Sequence, residues 1–315
     1  MNNAIAGISG GRTSARMAYM LDSSVVLAFQ NTGLEHAKTY EFLDRIEDDI
    51  GRPIVRLEFR APERGEPPKA RSFEIVDSKH LSRHGEPFRD LLECLKAYRA
   101  KHKGKGPVAP YANMRLCTAY LKVRTQRSYC EALGWGGPTE YTEYVGLRAD
   151  EPGRVAKMKQ RNQDRDTDEC APLFDAGIAK DDVLSFWRSK SFDLEIGEHL
   201  GNCNCCFLKD ERDLATALID PTVDANFWID IENDFGPMRR GGRPSYRQVY
   251  EEAPMRMVMR DAILSDRIDD ARELGAQLGL TPKRVKLIIA QEKAAHVPFA
   301  CECDAAKAED FDGCI

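Results

Sequence analysis

Short apolar runs alternate with amphipathic stretches through the first half of the chain. Residues 4–8 (AIAGI), 24–30 (SVVLAFQ) and 53–59 (PIVRLEF) are brief and bounded by turn residues, so they read as buried strands. SARMAYML (14–21) and HAKTYEFLDRIEDDI (36–50) space their apolar side chains as helices do. Strands and helices alternating at this rhythm predict βαβ crossovers: an α/β fold with a parallel twisted sheet and helices on both faces. TEYVGLRADE (142–151) predicts another strand ending in a polar turn, and KDDVLSFWRS (180–189) another helix. From about residue 207 the strand pattern fades, and LATALI, YRQVYEEA, MRMVMRDAI and RVKLIIAQEKAA predict a mainly helical C-terminal region. The expected organisation is an α/β domain over residues 1–200, followed over 201–315 by a cysteine block and helices.

Between these elements, RAPERGEPPKA (60–70) and RAKHKGKGPVAPYAN (99–113) carry Pro, Gly and charge without apolar period and read as loops; the last dozen residues are expected to be disordered. No internal repeat or low-complexity tract is present. Of 315 residues, 42% are hydrophobic, enough for a core, and the net charge of −5 excludes a generally basic nucleic-acid-binding surface while leaving local patches open. No stretch reaches the roughly 18 apolar residues of a membrane span, and the first apolar run is too short and glycine-rich for a signal peptide. A cytoplasmic protein with no membrane partner is expected. In that compartment ten cysteines, three of them within GNCNCC (201–206), point to metal or redox chemistry rather than disulfides.

In AIAGISGGRTSARMAYML (4–21) Ser9, Gly10 and Gly11 separate the first strand from the first helix. Such a junction can cradle an anion: backbone N–H groups converge, the helix dipole adds partial positive charge, and glycine admits close approach. Ser9, Thr13 and Ser14 add hydroxyls. The same residues equally suit a plain strand-to-helix turn with a hydroxyl cap. A Walker loop is excluded, because G-x-x-x-x-G-K-S/T is absent.

SGGRTS (9–14) resembles the PP-loop of the adenine nucleotide α-hydrolase superfamily, usually SGGxDS, with Thr13 where the ATP pyrophosphatases commonly carry Asp. FQNTGLEHAKTYEFLDRI (29–46), MRLCTAYLKVR (114–124), YVGLRADEPGR (144–154) and GNCNCCFLK (201–209) resemble, in order, further blocks of the phosphoadenosine phosphosulfate (PAPS) reductase family. The resemblance runs from about residue 5 to 210. It implies an adenine nucleotide, ATP or PAPS, with phosphates over Ser9, Gly10, Gly11, Arg12, Thr13 and Ser14, and an adenine pocket edged by Asn31, Thr32 and Gly33.

Cys203 and Cys206 are spaced so that two thiolates from one turn reach one metal or cluster, which Cys117 joins only through folding. In the iron–sulfur members of the family a Cys-Cys pair precedes a later Cys-x-x-Cys; here the first pair is Leu116-Cys117. The fourth ligand of a 4Fe–4S cluster would then be Cys205, Cys301 or Cys303, or an open position on iron as in tRNA-thiolating PP-loop enzymes. Zinc is the competing metal. Cys94, Cys130 and Cys170 stand alone and read as packing residues. Cys314, one residue from the end, suits a shuttling thiol like the catalytic tail cysteine of the reductases, although the Glu-Cys-Gly-x-His signature is missing.

Arg148 and Arg154, with Lys122 and Arg115, are candidates for phosphate or sulfate contacts, since guanidinium presents planar, permanently charged donors. Asp150 and Glu151 suit Mg2+ or an ordinary turn. His36, His199 and His296 lack a partner pattern for nucleophilic catalysis. The loop KHKGKGPVAPYANMR (101–115) suits a nucleic-acid backbone beside Cys117 or a solvated surface. The expectation is a PAPS reductase-type PP-loop enzyme coupling ATP activation of an acceptor, a nucleic acid base or small molecule, to sulfur delivery, with Arg148, Lys122 and Cys314 at the chemistry. Thiol-dependent reduction of PAPS or APS and a non-catalytic nucleotide sensor stand as alternatives. Expected partners are an adenine nucleotide, a nucleic-acid acceptor, a thiol or sulfide donor, and a second copy in a homodimer.

Overall fold

The fold is that of a computed structural model, which describes residues 3–62, 73–104, 106–165, 167–201 and 203–294. Over the described residues the chain divides into an α/β unit, running to Val108 and over Asn113–Ile196, and a helical unit comprising Ala109–Ala112 and residues 197–294. The division falls close to the expected boundary at residue 200, but four residues of the 99–113 loop belong to the second unit.

Six strands form one sheet in the order β4-β3-β2-β1-β5-β6. β1 (Asn3–Gly7), β2 (Val26–Asn31), β3 (Ile54–Phe59), β5 (Tyr141–Tyr144) and β6 (Glu169–Cys170) are parallel, and β4 (Phe73–Val76) pairs antiparallel with β3 at the edge. The period-2 alternation of strand side chains explains the two cores. Ala6, Leu27 and Phe29 face a cluster completed by Met17 of α1 (Arg12–Ala18), Phe42 and Ile46 of α2 (Ala37–Ile50) and Trp187 of α7 (Lys180–Arg188). Ile5, Ala28 and Leu57 face Tyr129 and Cys130 of α4 (Thr125–Ala132) on the opposite side. The fold is α/β and Rossmann-like, with helices on both faces.

Several segments differ from the sequence expectation. The strand ending in a polar turn expected over 142–151 is present as β5, which stops at Tyr144, followed by the GLRADE loop, whereas the helix expected over 14–21 runs from Arg12 to Ala18. Helix α3 (Glu86–Lys101) buries Phe88, Leu91, Leu92 and Leu95 and enters the stretch read as loop; α5 (Pro152–Arg165) is too polar to announce itself. Between α3 and α4 lies a π-helix, Cys117–Arg124, whose i→i+5 pattern leaves no signature in side-chain spacing. α6 (Pro172–Asp175) is a single turn.

The helical unit holds α8 (Glu211–Leu218), α9 (Ala225–Phe235), α10 (Tyr246–Leu264), α11 (Ile268–Gln277) and α12 (Pro282–Lys293), with no strand among its described residues. YRQVYEEA and MRMVMRDAI form one helix, α10, which runs through Pro254. One buried cation of this unit is paired: Arg256, 2% exposed, lies 3.3 Å from Glu211 and 3.5 Å from Glu292, and Arg260 bonds Glu292 at 2.8 Å. Removing one partner would leave an uncompensated buried charge. Among the described residues no helix is long and apolar enough to cross a membrane.

Candidate functional site

In an open parallel sheet, ligands bind outside the carboxyl ends of the strands where the strand order reverses. Here the chain proceeds β1, β2, β3 to one side and then places β5 on the other side of β1. The switch point therefore lies between the loop after β1, which carries SGGRTS, and the loop after β5, which carries GLRADE.

The β1 loop is built for tightness. Gly10 has φ +76°, the left-handed region, and a Cβ there would overlap the Thr39 methyl of α2. Ser9 N–H donates to Ser14 Oγ at 3.0 Å, and Ser14 Oγ–H donates to Gly11 O at 3.2 Å, folding the loop back onto the helix start. The first turn of α1 has no intrahelical acceptors for the N–H groups of Arg12, Thr13 and Ser14. Arg12 itself is committed elsewhere: its guanidinium bonds Asp193 at 2.7 and 3.0 Å and also Leu194 O, while Trp187 Nε1–H donates to Arg12 O at 2.9 Å. It anchors the loop from behind.

The β5 loop closes onto this cradle at two points. Arg148 Nη1–H donates to Thr13 Oγ1 at 3.2 Å, and Gly146 packs so closely that an added Cβ would lie 3.1 Å from Ser14 Cα. Asp150 accepts from Arg148 Nε and Nη2 at 2.9 and 3.1 Å and from Lys180 N–H at 3.1 Å. The Arg148 hydrogen bonds hold the Asp150 carboxyl below the usual carboxylate range. Glu151 accepts from the Arg148 backbone N–H at 3.0 Å and pairs with Arg154 at 2.5 Å. Asp150 and Glu151 thus orient Arg148, which keeps its charge beside Thr13.

Asn31, Thr32 and Gly33 line up after β2, but their polar groups are used internally. Asn31, fully buried, donates to Glu58 Oε1 at 2.7 Å and Ser82 O at 2.8 Å and accepts from Tyr40 Oη–H and Gly33 N–H. Thr32 Oγ1–H donates to Glu35 at 2.8 Å, and Gly33 O accepts from Gly85 N–H at 2.8 Å. The segment shapes the wall beside the cradle. Sequence reasoning passed over the buried carboxylates that organise it, Glu35 and Glu58; the signal was Glu58 inside the apolar run PIVRLEF.

Cys117 begins the π-helix, and Lys122 follows five residues later. Both are half-buried. This helix packs against β2, β3, α3 and α4. Cys94 and Cys130 are buried, and burial pushes their thiols up, Cys130 to about 12, in keeping with packing roles.

Cys203, Cys205 and Cys206 belong to the helical unit. Cys206 N–H donates to Cys203 O at 3.3 Å, so both thiols leave one turn. Cys205 is fully buried, its carbonyl accepting from Tyr246 Oη–H at 2.5 Å and its thiol pushed up by burial. Lys209, also fully buried, donates to Gly201 O at 3.1 Å; burial pulls its pKa down, opposed by the thiols of Cys206, Cys205 and Cys203. Among the described residues, no group of three or more His, Cys, Asp or Glu side chains is gathered as a metal shell. Cys301, Cys303, Cys314 and His296 lie outside the described residues, as do the last dozen positions and most of the 60–70 loop. Tyr111 of the basic loop sits beneath the Arg240 guanidinium, 3.7 Å from its ring centroid.

Compared with known proteins, the chain is 29% identical over 224 residues to an uncharacterized nin region protein, ORF290, of Escherichia phage lambda, covering 69% of each. No family model matches the chain, and no solved structure matches it.

Proposed function

We propose that the α/β unit binds an adenine nucleotide, ATP or PAPS, at the β1/β5 crevice and serves a sulfur-transfer reaction of the PAPS reductase type within an adenine nucleotide α-hydrolase-like fold. The observation that carries the reading is the junction of two loops more than 130 residues apart: Arg148 reaches Thr13, and Gly146 lies against Ser14. A capped turn alone has no use for a guanidinium clamped by two carboxylates over its first helical residues. A phosphate or sulfate has, because charge-assisted N–H contacts and the helix start act on the same anion. The nucleotide's phosphates would lie over residues 9–14, with Arg148 orienting the terminal group and stabilising negative charge developing on it. Lys122 and Cys117, both half-buried on the π-helix, are the candidates for acting on the acceptor.

Isothermal titration with ATP, AMP and PAPS tests this. The wild-type protein is expected to bind ATP or PAPS more tightly than AMP. Arg148→Ala is expected to weaken that binding by about ten- to a hundredfold, the loss of roughly 1.5–3 kcal/mol of hydrogen bonds to a charged group, in a chain that circular dichroism shows still folded. No binding by the folded wild type, or equal affinity in Arg148→Ala, would remove the reading.

A further inference from the structure

The last three helices surround one small apolar cluster: Met259, Ala262 and Ile263 of α10, Ala271 of α11, and Val285 and Ile288 of α12. The connection between α11 and α12 occupies residues 278–281. Gly279 takes φ +78°, and the amides of Gly279 and Leu280 bond back to Ala276 O at 3.0 Å and Gly275 O at 2.9 Å, closing α11 in a glycine turn. Thr281 then caps α12 by accepting from Arg284 N–H, with Pro282 in the first helical turn. Where the two helices touch, a Cβ on Gly275 would lie 2.5 Å from Val285 Cγ2. A helix, a four-residue glycine turn and a second helix packed against the first through a small residue match the helix-turn-helix arrangement in turn length and in the glycine of the turn.

The charge on α12 supplies the occupant. Its one carboxylate, Glu292, is 3% exposed and bonded inward to Arg260, and Arg284 turns to Glu211 and Glu252. What faces outward is Lys283, Lys286, Leu287, Ala290 and Lys293, with no exposed carboxylate. Lys293 pairs with Asp266 at 2.6 Å; on α11, Asp269 pairs with Arg272 and Asp270 with Arg267, while exposed Glu273 accepts from Gln277 at 3.1 Å, so the positive charge of this element is concentrated on α12. Arg272 and Lys286 border one groove between the helices. Neither helix carries an aromatic side chain, which argues against single-strand recognition by base stacking. A-form RNA closes its major groove to side chains, whereas the B-DNA major groove, about 12 Å wide, admits a helix.

We infer that α11, its glycine turn and α12 form a double-stranded DNA-binding element, with α12 as the helix laid in the major groove, Lys283 and Lys286 on phosphates or base edges, and Leu287 as its apolar contact. This inference stands apart from the nucleotide reading and does not depend on it. Because the whole chain carries net charge −5, the attraction must come from a local basic face such as this one and is sensitive to salt.

The test is fluorescence anisotropy of the full chain with a labelled mixed-sequence duplex of about 30 base pairs, titrated between about 50 and 200 mM salt. Duplex binding that weakens steeply with salt is expected. Lys283→Glu/Lys286→Glu is expected to bind at least tenfold more weakly and to reduce the log–log salt slope by about 2, one for each phosphate contact. Lys79→Glu, an exposed lysine of the α/β unit, is expected to change neither. Circular dichroism checks folding, and the milder Lys283→Gln/Lys286→Gln pair, expected to show the same loss, decides the matter if the charge reversal unfolds the chain. Absence of duplex binding at the lowest salt, an unchanged affinity in the lysine pair, or tighter binding to single-stranded or RNA probes of the same sequence would overturn the inference.

Discussion

Gly10→Ala tests the cradle most directly. Two costs are separable. An L-residue held at φ +76° pays about 1–2 kcal/mol against the left-handed conformation. The new Cβ also overlaps the Thr39 methyl, and Thr39 is 5% exposed and β-branched, so it has little rotamer freedom. Leu43 Cδ1 at 3.7 Å and Phe29 Cε2 at 3.8 Å from that Cβ close the remaining sides. Overpacking of this kind costs about 1–3 kcal/mol. The sum, about 2–5 kcal/mol, is a large share of the ~5–15 kcal/mol that holds a typical domain folded. Thr39→Ser removes the methyl and by itself should cost about 1 kcal/mol. Added to Gly10→Ala it should recover the steric part and leave the conformational part, a coupling of about 1–3 kcal/mol in a double-mutant cycle. The assay is urea unfolding read at Trp187, which lies in the same core, with Trp135 and Trp228 replaced by Phe. If Gly10→Ala unfolds at the wild-type urea midpoint, or Thr39→Ser fails to couple to it, the geometry of the loop is misread.

Gly146→Ala should act on binding more than on folding: its Cβ would press on Ser14 Cα at 3.1 Å and Ser14 N at 3.3 Å, backbone atoms that yield only by moving the β5 loop. ATP or PAPS affinity is expected to fall about tenfold, a cost of about 1.4 kcal/mol, with a small change in melting temperature; unchanged affinity by titration calorimetry would count against the closure of the two loops. Asp49 is held below the usual carboxylate range by the Lys190 ammonium at 2.6 Å and the Tyr19 hydroxyl at 2.6 Å. A depressed folded-state pKa means stability fully present above the unfolded value of about 3.9 and lost as pH falls through the folded value. The stability advantage of the wild type over Asp49→Asn in urea should therefore shrink between pH 5 and pH 3; a constant gap would refute the pairing.

The amino-acid pattern by itself determined the class of fold and the location of its first three strands, because buried parallel strands are short and mainly apolar and turn residues bound them. It also singled out SGGRTS and GLRADE, since residue types suited to anions stand out in a single reading of the chain. Other elements lacked that contrast. α5 is almost uniformly polar, and the π-helix is defined by backbone bonds that side-chain spacing does not report. α11 was overlooked because its inward side is made of small residues, Ala271 and Gly275, which carry little hydrophobic signal. Only the tertiary structure decided that Arg12 ties the cradle down while Arg148 covers it, that Asn31 and Thr32 are consumed inside their own loop, and that α12 turns its carboxylate inward and its lysines outward. Such choices depend on which partner lies within about 3 Å in space, and residues such as Arg12 and Asp193 meet only after the sheet has brought distant loops to one edge.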